Sequence, residues 1–251
     1  MPGNGEPAAR HHHRTVDRVT SILELVASSK DGLMLRDLSR ALDAPKTSVL
    51  QLLGGLVATG YLAEHKRNYT LGTGPLLLAL SSNAPNLARI RHSDLVALNA
   101  ETGLSVQVGV RLGENFVAVD HAGLNSQADF HAWNRTRRPL LSTATGKIIL
   151  ANLADEELHR VLQAAGATNA DGVNRFFDEL PDIRRRELAY NRGSTIPGAF
   201  AIATAAFDAT GGFVAAVCLT GSNEIEARFE KVGALLIERV RSWKIAREWR
   251  H

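Results

Sequence analysis

One cysteine, Cys218, is the whole thiol inventory of this 251-residue chain, which excludes an intramolecular disulfide and any multi-cysteine zinc site. No apolar run approaches the roughly 18 residues that a membrane span needs. The N-terminal "MPGNGEPAARHHHR" also lacks the apolar core of a signal peptide. A cytoplasmic protein with no membrane partner is expected. Charge of one sign is scarce too: the net charge of +3 permits nucleic-acid binding without suggesting it. Catalytic signatures are missing. There is no G-x-S-x-G elbow, and His121, His131 and His159 stand without Glu or Cys at metal-ligand spacing. Asp120 and His121 adjoin on a strand, where neighbours point to opposite faces. An enzyme, a metal site and a cofactor are therefore not expected. The His11-His12-His13 tract reads as part of a solvated arm rather than a metal site.

What is present begins with "LLSTATGKIILANL", Leu140 to Leu153. Gly146-Lys147 invites comparison with a phosphate loop, G-x-x-x-x-G-K-[ST]. The first glycine position holds Leu141 and the hydroxyl position holds Ile148, so two of four elements are missing. Two readings remain. One is a helix capped by Ser142 or Thr143. The other is a helix N-terminus whose small residues leave N–H donors open to an anion such as a carboxylate.

Residues 15–29 place Val16, Val19, Ile22, Leu23, Leu25 and Val26 on one helical stripe. A second helix runs from Leu35 to Leu42. After a break at Asp43-Ala44, Pro45 suits the first turn of a third helix, "KTSVLQLLGGLVATG", which buries Val49, Leu52, Leu53 and Leu56. "YLAEH" and "NYTL" then read as strands joined at Lys66-Arg67-Asn68. Three helices and a hairpin describe a winged helix-turn-helix. From Gly72 to about Asn99 the chain reads as helical, interrupted near Pro85. "LGTGPLLLALSS" is apolar enough for a linker that packs on another chain. Strands follow in "LSVQVGVR", "NFVAVDHA", "AFAIATAAFD" and "FVAAVCLTG", with helices near 145–153, 155–165, 178–190 and from about Glu224 to Arg247. The fold class is α+β.

In a helix-turn-helix the second helix of the pair enters the major groove. Lys46, Thr47, Ser48 and Gln51 occupy its start. Lys46 suits a phosphate or a guanine edge, and Gln51 suits adenine. Lys66, Arg67 and Asn68 at the wing tip, with Arg14, Arg18 and Arg36, are phosphate candidates. Residues 1–72 hold nine Lys/Arg against seven Asp/Glu, so position carries more than total charge. So weak an excess calls for dimerisation on paired half-sites. The competing reading is a small-molecule-binding or protein-interaction module whose polar helix face is simply solvated.

The segments "RTVDRVTSILELVA", "LRDLSRALDAPKTSVLQLLGGLVATGYL", "YTLG", "RRPLLSTATGKIILANL" and "GAFAIATAAFDATGGFVAAVCLTG", in this order and spacing, resemble the IclR family of bacterial transcriptional regulators over roughly Arg14 to Arg247. The resemblance implies a flexible arm at 1–13, a winged helix-turn-helix DNA-binding domain at 14–72, a linker helix at 73–83 and a GAF-like α/β effector-binding domain at 84–251. It implies a homodimer or dimer of dimers on double-stranded, palindromic operator DNA. The expected activity is repression of a catabolic operon, modulated by a small organic acid, with aromatic acids among the candidates.

The family's effector pocket maps onto Ala144 and Thr145 as backbone donors, Asn191 where an acid is common, Ala201 where a cysteine is common, and Cys218 and Thr220 on the last strand. Phe130 and Trp133 stand as lid candidates. Each has a plainer reading. Thr145 serves equally as a helix cap, Cys218 as core, and Phe130 and Trp133 as ordinary packing. Lys147 reads as a solvated or structural helix residue. The chain departs from the family pattern at Gly193 and Ser194, usually acidic, at Ala205, usually Pro, and at Gln51, often Arg. These departures imply a DNA site unlike that of well-known relatives and an effector that does not transfer from them. Asn191 for an acid, Ala201 for a cysteine and aromatic walls predict a roomier, less charged pocket, suited to an aromatic carboxylate or its amide or hydrazide relative.

Overall fold

The computed structural model describes residues 13–81, 90–123, 135–166, 168–193, 198–222 and 228–243. The chain divides into two compact units, Met1–Ala84 and Pro85–His251.

The first unit contains helices α1 (Arg14–Ser28), α2 (Leu35–Ala41), α3 (Lys46–Ala58) and α4 (Gly74–Ser81), with strands β1 (Leu33–Met34), β2 (Leu62–His65) and β3 (Asn68–Leu71). Ile22 and Val26, one turn apart on α1, meet Leu38, Val49, Leu53 and Leu56 in one core. The i, i+4 spacing of such residues puts them on a single stripe. Asp43 adopts positive φ (43°), making the break between α2 and α3. Pro45 is the N-cap of α3, one position earlier than its ring geometry suggested. Leu52 is only partly buried. The wing has three strands in the order β1-β3-β2. β1 spans two residues, too short for any periodicity to mark it. α4 has no buried residue, and Leu76, Leu77, Leu78 and Leu80 are all more than half exposed.

The second unit contains α5 (His92–Thr102), α6 (Ala144–Ala151), α7 (Asp155–Gly166), α8 (Ala170–Arg186) and α9 (Phe229–Ser242). Its strands are β4 (Ser105–Leu112), β5 (Asn115–Ala122), β6 (Arg138–Pro139), β7 (Ala189–Arg192), β8 (Ala199–Phe207) and β9 (Phe213–Ser222). They form one antiparallel sheet in the order β6-β5-β4-β9-β8-β7. Leu95 and Leu98 of α5 and Leu236 and Val240 of α9 pack with Val217 and Leu219 on one face. Ile148 and Ile149 of α6, Leu158 of α7 and Phe176 of α8 pack with Ala216 and Cys218 on the other. Successive residues of a strand face opposite ways, so β9 is buried on both sides and reads as an unbroken apolar run. α8 lies upstream of its expected range: Asn169 caps its start by accepting from Gly172 N at 3.0 Å. Glu187, at φ 57°, ends it before Ala189–Arg192 pairs with β8. The flanks of the helix expected over Glu224 to Arg247 lie outside the described residues.

Candidate functional sites: an exposed basic face and a buried polar cavity

In the first unit, Lys46, Thr47 and Gln51 stand exposed on α3, opposite buried Val49 and Leu53. Ser48 is half-buried and accepts from Arg18 Nη1 at 3.4 Å, tying α1 to the start of α3. Arg14 and Arg18 border a shallow groove with Asp17, Ser21 and Leu42. Arg36 is 70% exposed beside Asp37, 3.5 Å away. At the wing, His65 pairs with Asn68, leaving Lys66 and Arg67 as a two-residue turn. Both have positive φ, 51° and 65°. Such a turn favours Asn-Gly, because a side chain in the left-handed region is disfavoured by about 1–2 kcal/mol. The Asn68 amide donates to the Asp31 carbonyl, so that side chain secures the corner between β1 and β3.

In the second unit, Ala144, Thr145, Asn191, Ala201, Cys218 and Thr220 line one cavity. Strand register brings them there: Ala201 pairs with Thr220 and with Asn191, and Cys218 pairs with Gln107. Phe130 and Trp133 lie outside the described residues. The helix cap is Thr143, whose hydroxyl accepts from Gly146 N at 3.1 Å and donates to Pro139 O at 2.9 Å. Lys147 N already bonds Thr143 O, so Ala144 and Thr145 carry the first-turn N–H groups that have no intrahelical acceptor. Both residues are 1% exposed. A Cβ on Gly146 would fall 2.1 Å from the Leu140 carbonyl oxygen, and one on Gly109 would fall 2.4 Å from Thr145 Cγ2. Glycine at these two positions lets β6 and β4 close on α6. Lys147 takes no part in the cavity; its ammonium lies 2.5 Å from Glu179 Oε2, with the side chain 13% exposed.

Burial pushes the Cys218 thiol up from its ordinary value, with hydrogen bonds involving Thr145, Gln107 and Thr220 opposing the shift. It therefore stays protonated at neutral pH. Asn191 donates to Ser142 O at 2.8 Å. Sequence reasoning missed six lining residues: Gln107, Phe116, Arg138, Thr143, Ala199 and Phe200. Gln107, a polar residue flanked by Val106 and Val108 in β4, was the one legible signal. The described lining sets out what the cavity offers. The cavity has a volume of about 30 Å³, room for about two waters at roughly 10–15 Å³ each. Phe116 and Phe200 take up space beside the small Ala199 and Ala201, and Arg138 brings in a charge.

Comparison with known proteins gives two family matches. The model described as "IclR helix-turn-helix domain" matches residues 15–66, and "Bacterial transcriptional regulator IclR C-terminal" matches residues 80–246. The HTH-type transcriptional repressor AllR of Escherichia coli K12 is 26% identical over 258 residues, covering 96% of this chain and 92% of that protein. Its Salmonella typhi counterpart is 27% identical over 259 residues, covering 94% and 90%. Among solved structures, an IclR homolog from Microbacterium hydrocarbonoxydans complexed with 4-hydroxybenzoate superposes with TM-score 0.67 at 16% identity, covering 90% of this chain and 96% of that one. A regulator from Alicyclobacillus acidocaldarius gives TM-score 0.64 at 19% identity, covering 92% and 97%. At such identities the structures establish a shared fold.

Proposed function

The chain belongs to the IclR family of bacterial transcriptional regulators, and from that premise we propose that it is a dimeric repressor released or tightened on operator DNA by a small organic acid. The observation that carries the DNA reading is the wing tip. Lys66 and Arg67 occupy both left-handed positions of the turn, where glycine or asparagine costs less. Positive charge is kept there against conformational preference, which fits a phosphate contact. Lys46, Thr47 and Gln51 at the exposed start of α3 are the base-reading candidates, with Arg14, Arg18, Arg36 and Ser48 around them. The exposed leucines of α4 support a chain–chain interface, since clustered apolar surface marks association. A cytoplasmic location accords with this role.

The effector reading rests on the buried cavity, with donors at the α6 start and polar side chains from four strands. A short-chain acid enters about 30 Å³ with least rearrangement. An aromatic ring, as in the 4-hydroxybenzoate of the Microbacterium protein, requires Phe116 or Phe200 to move. The acid acts only through its differential affinity for two DNA-binding states. A gel shift on the promoter beside the protein's own gene, repeated across salt, tests the reading. The expected log–log slope is about −0.9 per phosphate contacted. No sequence-dependent shift at low salt with folded protein refutes it.

A further inference from the structure

One charge in the wall of the cavity, that of Arg138, has no counter-charge among the described residues. Arg138 is half-buried on β6, and among the described residues no carboxylate pairs with it. Several other arginines of the same unit are paired, among them Arg111 with Glu157 at 2.6 Å, Arg239 with Glu101 at 2.7 Å and Arg241 with Glu187 at 2.6 Å. The described lining contains no acid. Gln107, Thr145, Asn191 and Thr220 are neutral, and the Cys218 thiol is held protonated by burial. Burial likewise pulls the Arg138 guanidinium below its ordinary value, yet arginine remains a cation under all physiological conditions. A partly desolvated cation without a partner is unfavourable, and a ligand carboxylate relieves that.

The position of Arg138 is tied to the α6 donors. β6 is held to β5 by the pairing of Arg138 with Phe116. The Thr143 hydroxyl then spans from Pro139 O to Gly146 N. One residue thus links the strand that carries the cation to the helix start that carries the free N–H groups. Two independent anion-favouring elements, Arg138 with its guanidinium and Ala144 and Thr145 with their first-turn amides, belong to residues that line the same small space.

Resting on the reading of this cavity as the effector site, we propose that Arg138 sets the charge class of the effector: the site takes an organic monoanion through a carboxylate–guanidinium contact and rejects the matching amide. Arginine is suited to this because its planar fork engages a carboxylate by two parallel hydrogen bonds.

The test uses full-length protein and three acid–amide pairs: acetate and acetamide, pyruvate and pyruvamide, benzoate and benzamide. Calorimetry is run on wild type, Arg138→Met and Arg138→Lys, with melting temperatures recorded without ligand. In wild type at least one acid is expected to bind roughly tenfold or more tighter than its amide, the size of one charge-assisted contact. Arg138→Met should lose that preference while melting no lower than wild type, because it removes an unpartnered charge. Arg138→Lys should retain part of the preference. An unchanged acid preference in folded Arg138→Met overturns the inference and leaves the cavity reading intact, as does a lowered melting temperature of the ligand-free variant. Absence of any response of the wild type to all three acids overturns both.

Discussion

Lys46, Gln51, Lys66 and Arg67 of the N-terminal unit stand in solvent, whereas Thr145, Asn191 and Thr220 of the C-terminal unit are 1%, 6% and 5% exposed. The first unit keeps a small apolar core under three helices and a wing and puts most of its candidate contacts outside, with Arg18, Ser48 and Asn68 half-buried. The second buries polar groups between a sheet and a helix start, where each needs a partner. An exposed contact is therefore separable from the fold, because removing it leaves nothing unsatisfied. A buried one is inseparable, since its geometry and the packing around it are the same structure.

Substitutions can break that contrast, and the largest effect is expected outside. Leu77→Glu with Leu80→Glu on the exposed face of α4 should convert a dimer to monomers in sedimentation. Operator affinity should fall by roughly 10²–10⁴-fold through lost bivalency, with the melting of each unit unchanged. A dimer surviving both changes would place the interface elsewhere. Next in size is Gly146→Ala, whose methyl meets backbone rather than a flexible side chain. It should lower stability by about 3 kcal/mol in chemical denaturation while leaving DNA affinity intact below the transition. A change below about 0.5 kcal/mol would mean that β6 can move away from α6.

Smaller effects sharpen the same contrast. Lys46→Ala and Arg67→Ala should each reduce the salt slope of DNA binding by about 0.9 per chain with no change in acid binding. Equal loss of both functions would assign these side chains to the fold. The smallest effect is the most diagnostic. Arg67→Gly relieves a left-handed side chain at φ 65° and should raise stability by about 0.5–1 kcal/mol while weakening DNA binding. A variant that gains stability and loses nothing on DNA would remove the functional reason for arginine at that turn.

The two units also differed in how far they could be read from the chain. α1 to α3 and the hairpin follow from short-range signals: the Ile22/Val26 and Val49/Leu53/Leu56 stripes, the break at Asp43 and the turn at Lys66-Arg67. Six of the cavity residues were found through family resemblance rather than through periodicity. Arg138 escaped both, because an arginine beside a proline reads as an exposed loop. β7 was absorbed into a helix because Ala189–Arg192 is too short to show alternation.

Local periodicity, turn chemistry and motif order thus determined by themselves the winged helix-turn-helix, the α+β class and the family, all being patterns over a few to a few tens of residues. Only the tertiary structure decided which side chains meet. In β9 the residues from Val214 to Thr220 are all buried, so no polar face marks which alternate set looks toward α6. Pairing with β4 and β8 chose Cys218 and Thr220, and closure of the Leu140 backbone over Gly146 brought Arg138 to the same wall. Those contacts join positions 107, 138, 191 and 220, far apart in the chain, and their energy comes from burial and register that no local stretch encodes.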